Sequence, residues 1–153
     1  MEINKKIFIE TGILIGILVL LSSTVFAFAI SSAYWKEYPL EILPGETQEI
    51  SITLQNMAGE EDITIKGEIA ENSQIIAEIT DTNNIYLVPM GDKTKVNIKV
   101  TAPEDTKLGT YDLITSFSTV TEKEPGKFGF GSSIEHTLPV KVIGKESIIN
   151  SSS

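Results

Sequence analysis

Aliphatic and polar residues alternate with a period of two through most of this chain. That pattern calls for strands with one face in a core and the other in water. Ile50, Ile52 and Leu54 alternate with Glu49, Ser51 and Thr53, and Val96, Ile98 and Val100 alternate with Lys95, Asn97 and Lys99. Ile63, Ile65 and Ile69 share one parity, opposite Thr64, Lys66 and Glu68. Ile, Val and Thr also fit a pleated, half-buried surface. Further strands are predicted at 74–80, 85–88, 110–121 and 133–143. Turn signals stand between the runs: Pro44-Gly45, Ala58-Gly59, Asn83-Asn84, Met90-Gly91-Asp92 and Lys107-Leu108-Gly109. Beyond the N-terminal segment no window of helical length carries helical periodicity. About seven short strands with regular turns predict an all-β fold, an immunoglobulin-like antiparallel sandwich of two sheets over residues 38–143. Pro139 interrupts the last run; proline cannot donate to a ladder, so that strand is expected at an edge or with a bulge there. Residues 144–153 read as a flexible polar tail.

The first 29 residues have a different character. Lys5 and Lys6 precede an uncharged stretch of 25 residues from Thr11 to Trp35, and Ile13–Leu21 within it is almost wholly aliphatic. This is the layout of a secretory signal. Val25-Phe26-Ala27 and Ala27-Phe28-Ala29 both offer the small-x-small pattern of a processing site, which predicts cleavage after Ala27 or Ala29. The alternative is an uncleaved signal anchor, an apolar helix with the lysines inside and Tyr34 and Trp35 at the outer interface. Either way the remainder faces outward, secreted or held at the cytoplasmic membrane.

The charge balance narrows the partners. There are 12 Lys+Arg against 21 Asp+Glu, a formal net charge of −9, and every basic residue is Lys. Nucleic acids and anionic lipid surfaces are bound by basic patches, so this balance argues against both. With 0 Cys there is no disulfide framework, thiol nucleophile or thiolate metal site. A cysteine-free exported sandwich suits a prokaryotic surface.

Three segments have a familiar order. Leu43-Pro44-Gly45-Glu46 leads into a strand that ends Leu54-Gln55-Asn56; Val88-Pro89-Met90-Gly91-Asp92 follows; then comes Ala102-Pro103-Glu104-Asp105-Thr106-Lys107-Leu108-Gly109-Thr110-Tyr111. This order resembles the NPCBM-associated β-sandwich domains and related archaeal and bacterial surface modules, over roughly residues 38–143. The resemblance implies an immunoglobulin-like sandwich with an accessory, non-catalytic role. The motif residues also have structural jobs: Gly45 and Gly91 suit turns with positive φ, Pro44 and Pro103 bound strands, and Gly109 lets the chain re-enter a strand. Tyr111 can pack its ring while tying its hydroxyl to a loop, as in a tyrosine corner.

Residues that could carry chemistry are few. His136 is the only histidine and shares the parity of Ile134, Leu138, Val140 and Val142, which puts it on or beside the apolar face. No Ser stands in a nucleophile-elbow context, and one His without Cys builds no ordinary zinc site. Glu60-Glu61-Asp62 and Glu104-Asp105 read as solvated turns; Asp81 and Asp92 are what an irregular calcium site could draw on. No catalytic residue, cofactor or metal is expected. The Gly-rich segment 125–132 carries Phe128 and Phe130, a candidate binding loop between the last two strands. Asn150-Ser151-Ser152 is a glycosylation sequon. The expectation is a non-catalytic extracytoplasmic module that makes protein contacts at the cell envelope. The alternatives are a carbohydrate-binding accessory domain for cell-wall or S-layer glycans, and a membrane-anchored structural part of a surface filament or its stator.

Overall fold

The computed structural model describes residues 28–70, 74–124 and 127–145, with only the backbone of 122–124, 127, 128 and 130. The leader up to Ala27, the sequon at Asn150 and most of the tail lie outside the described residues. Nine strands are present: β1 (Ala29–Ser32), β2 (Leu40–Ile42), β3 (Thr47–Gln55), β4 (Ile63–Ile69), β5 (Ile76–Ile79), β6 (Ile85–Val88), β7 (Lys93–Thr101), β8 (Gly109–Glu124) and β9 (Lys127–Val142). They form a four-stranded sheet of order β1-β3-β7-β5 and a five-stranded sheet of order β2-β9-β8-β4-β6. The fold is an all-β sandwich of two sheets. Among the described residues no helix is long and apolar enough to cross a membrane.

The alternating residues of the sequence supply the core. Ile52, Leu54, Ile65, Val88, Val96, Ile98, Val100, Leu113, Phe117, Leu138 and Val140 all have 0% exposure. Each such side chain stabilises the fold by about 1.5–3 kcal/mol on burial. Phe117 is the largest of them, and the strand opposite makes room for it. It pairs with Gly67, where a Cβ would stand 3.0 Å from the Phe117 ring and 3.1 Å from Ile79.

Two features depart from the pattern expected. The described residues hold nine strands rather than about seven, and β2 pairs with β9 in parallel (Leu40↔Val140 to Ile42↔Val142) where all pairs were expected antiparallel. The chain reaches that position by running β1 along β3 and then crossing to the other sheet through residues 33–39. β1 also lies ahead of residue 38, so the described sandwich begins with Phe28, which is 4% exposed in the core.

Pro139 sits at the end of an open edge. β9 has β8 on its inner side throughout, but β2 covers its outer side only from Val140. No register shift occurs at Pro139; the two shifts in this ladder fall between Ser118 and Val120, opposite Gly131 and Ser132, and between Glu122 and Glu124. A Cβ on Gly131 would overlap the Thr119 hydroxyl there, so the glycine permits the irregularity.

Replacing Phe117 by Ala leaves a cavity between the sheets, and the expected loss is about 3–5 kcal/mol in denaturant unfolding. A loss under about 1 kcal/mol would mean the ring is not the centre of the core.

Candidate functional site

The quoted motifs meet in space and close the two ends of the sandwich. At one end Gly45 N–H donates to Ala102 O at 2.8 Å and Ala102 N–H to Glu46 O at 3.0 Å. The Glu46 carboxylate accepts from Leu43 N–H at 2.7 Å, and Gly45 has φ 79°. Also at this end the Tyr111 hydroxyl donates to Lys107 O at 2.8 Å. At the other end Asn56, 1% exposed, donates its side-chain amide to Glu61 O at 2.8 Å and Val88 O at 3.2 Å. Its backbone takes part as well: Asn56 N–H donates to Asp92 O at 3.0 Å, and Gly91 N–H, from a residue with φ 71°, donates to Asn56 O at 2.9 Å. A Cβ on Gly59 would overlap the Asn56 carboxamide. Pro44, Gly45, Pro103, Gly109 and Tyr111 thus lie in or beside closures that satisfy backbone groups where strands stop.

The acidic candidates are also engaged in structure. Asp62 accepts from Met90 N–H at 2.8 Å, and Asp92 from Lys93 N–H at 2.8 Å. Asp81 accepts from Asn97 N–H at 2.7 Å, the Asn97 side-chain amide at 2.9 Å and the Tyr86 hydroxyl at 3.1 Å. Burial pushes the Asp81 carboxyl up, but these hydrogen bonds outweigh it and hold the group below its ordinary 3.8. Tyr86 is raised by desolvation and by the Asp81 charge. Asp81 and Asp92 therefore hold turns and strands, and no group of three or more His, Cys, Asp or Glu that could hold a metal occurs among the described residues.

What remains is an edge. β1, β5 and β6 also lie at sheet edges, and each is only four residues long. Short edges are one way sheets avoid unwanted pairing. The outer side of β9 is different: from Lys127 to Pro139 it has no strand beside it among the described residues. Gly131, Ser132, Ser133, Glu135 and Thr137 are exposed along it. Phe128 and Phe130 belong to this strand, paired with Glu122 and Val120, near the tip of the β8–β9 hairpin. The hairpin continues past β4, whose pairing with β8 stops at Ile65↔Thr119. In the angle lies a groove of about 300 Å³ lined by Glu61, Asp62, Thr64, Thr121 and Ser132.

A second exposed feature lies in the crossing between β1 and β2. Trp35 and Tyr38 exchange backbone hydrogen bonds of 3.1 and 2.9 Å, and their rings stand 4.8 Å apart. They are 50% and 65% exposed, beside a depression of about 500 Å³ that Tyr34, Glu37 and Glu41 help to line. The sequence offers Trp35 as a membrane-interface residue, as the start of the domain or, with Tyr34, Tyr38 and Tyr86, as thin support for a sugar platform; that Trp35 and Tyr38 meet becomes visible once the turn closes.

His136 lies within β9, half-buried, opposite Thr115, whose hydroxyl donates to His136 O at 3.1 Å. Its Nε2 is buried without a protein partner, and burial holds the imidazole below its ordinary 6.5. The unfolded chain therefore takes up a proton near pH 6.5 that the folded chain resists, and stability falls as pH drops through that value. His136→Leu removes the uptake and the orphaned nitrogen. The variant is expected to gain about 1 kcal/mol near neutrality and to lose less stability than the parent between pH 7.5 and 5.5. Parallel pH profiles in thermal unfolding would refute the assignment.

No protein-family model and no curated protein matches this sequence. Solved structures do resemble it. A family 123 glycoside hydrolase from Clostridium perfringens is 8% identical with a TM-score of 0.50, over 77% of this chain and 27% of that one. The E. coli chaperone DraB is 8% identical with a TM-score of 0.48, over 78% of this chain and 56% of that one. This chain thus spans about a quarter of the hydrolase's length, and the likeness to it is one of fold alone.

Proposed function

We propose that this chain is an exported, non-catalytic module of immunoglobulin-like fold that holds an envelope protein by accepting one of its strands on the open edge of β9. The observation that carries this reading is the outer side of Lys127–Pro139, which has no neighbouring strand among the described residues while the other edges are short. Unpaired N–H and C=O groups along such an edge are a template for an added strand, and the alternating side chains of the guest supply specificity. Phe128 and Phe130, at the hairpin end of the same strand, would add apolar contact.

Strand order supports the immunoglobulin-like part. The order β1-β3-β7-β5 matches the four-stranded sheet of that fold, and β9-β8-β4 matches its three-stranded sheet. β6 is a variation, since it follows β5 in the chain but lies beside β4. The resemblance to NPCBM-associated surface modules agrees, because the residues that carry it pair off at the two ends of the sandwich. The non-catalytic part rests on residue types: one histidine, no cysteine, and the acidic side chains Asp62, Asp81 and Asp92 committed to backbone and amide donors.

The proposal is tested with a photoreactive residue at Thr137 in intact cells. A discrete adduct with an envelope protein is expected. Successive N–H groups of a strand point to opposite neighbours, so of Ile134→Pro and Glu135→Pro one breaks the β8 ladder and the other blocks only the open edge. One variant should unfold at a lower temperature, and the other should keep its thermal midpoint and lose the adduct. The double change Phe128→Ser and Phe130→Ser should keep the midpoint and weaken the adduct. An adduct indifferent to all of these sinks the reading.

A second reading has its own observation. Trp35 and Tyr38, with Glu37 and Glu41 beside them, combine aromatic faces with carboxylate acceptors, which is the chemistry of a sugar subsite. If it holds, a glycan array gives hits that Trp35→Ala abolishes; an array with no hits removes it.

A further inference from the structure

We infer that the leader is removed by hydrolysis of the Ala27–Phe28 peptide bond, so that Phe28 is the first residue of the exported protein. This rests on the export assumed in the reading above. The sequence presents two processing patterns, Val25-Phe26-Ala27 and Ala27-Phe28-Ala29, and does not choose between them. The fold does. Phe28 is 4% exposed and belongs to the core, and Ile30 packs against that core. Ala29 and Ile30 pair with Gln55 and Leu54, and the Gln55 side-chain amide donates to Ser31 Oγ at 2.8 Å. A cut after Ala29 removes a core aromatic and the first residue of a four-residue strand. A cut after Ala27 keeps both Phe28 in the core and the whole of β1.

The same boundary bears on the anchor alternative. Of the uncharged stretch from Thr11 to Trp35, the residues from Phe28 on belong to the sandwich. At most Thr11–Ala27 of that stretch is left for a span, 17 residues that include Ser22-Ser23-Thr24. A bilayer span needs about 20 apolar residues, with about 17 as the short limit. An aliphatic run at Ile13–Leu21, then small polar residues, then Val25-Phe26-Ala27 is the layout of a cleaved signal. A signal peptidase meets the chain during translocation, before the core closes over Phe28. Water adds across the bond: Ala27 leaves with the new carboxylate, and the Phe28 nitrogen becomes the α-ammonium.

The test is intact mass and N-terminal sequencing of the native protein recovered outside the cytoplasm. Phe28 is the expected first residue. Ile30 or any other first residue, or an uncleaved chain in the membrane, overturns the inference. Two variants of the full chain separate the sites further. Ala29→Leu lies beyond the proposed bond and should still give a product starting at Phe28; loss of processing overturns the proposal. Phe28→Ser should lower the thermal midpoint of the exported protein, because the residue stays in the core, and an unchanged midpoint counts against it. A full-length chain in the cytoplasm refutes the export reading too, whereas an exported chain with a different first residue refutes this inference alone.

Discussion

The ladder between β3 and β7 is the constraint on which the rest of the sandwich depends. Its register runs without a break from Thr47↔Thr101 to Gln55↔Lys93. It sets Ile50, Ile52 and Leu54 level with Ile98, Val96 and Thr94 on one inner face. A slip of one residue would turn that face toward water and the Lys and Glu residues into the core. The two strands are also far apart in sequence, so their pairing encloses everything between them, including β4, β5 and β6.

Register alone leaves the strand ends exposed, and the motif residues deal with this. Gly45 and Glu46 bond to Ala102 where β3 begins and β7 ends; Asn56 bonds to Gly91, Asp92 and Val88 where β3 ends and β7 begins. A buried Asn is costly unless its donors and acceptors are met. Here the side-chain amide reaches carbonyls in two other segments, so it links them. Such residues stabilise a fold that many functions can share, which is why the motif speaks to architecture and not to a ligand.

Function in this reading lies where the architecture leaves something unfinished. The long β8–β9 hairpin outruns both of its neighbours: β4 on one side stops at Ile63, and β2 on the other covers only Val140–Val142. The acidic surface suits this arrangement, because a net charge of −9 keeps copies apart while one strand stays open to pairing.

Much of this was legible in the residues. Period-two alternation marked β3, β4 and β7 because each has one wet face and one dry face. Pro-Gly and Met-Gly-Asp marked turns because glycine reaches positive φ without strain. A chain without Cys or Arg has neither a thiolate nor a guanidinium to offer a ligand, and composition alone says so. β1 was not legible: Phe28 and Ile30 alternate with Ala29 and Ser31, but the signal merges with the apolar stretch that comes ahead of it. Only tertiary contact with β3 and the core shows that Phe28–Ser32 belongs to the fold. β2 is three residues long, too short for a pattern, and only its parallel pairing with β9 gives it a role. The sequence by itself determined which residues face a core and where the chain must turn, since both follow from local periodicity and backbone freedom. The tertiary structure alone decided which edges are covered, that Phe28 belongs to the core, and that Trp35 meets Tyr38, since these depend on segments that come together only when the sheets pack.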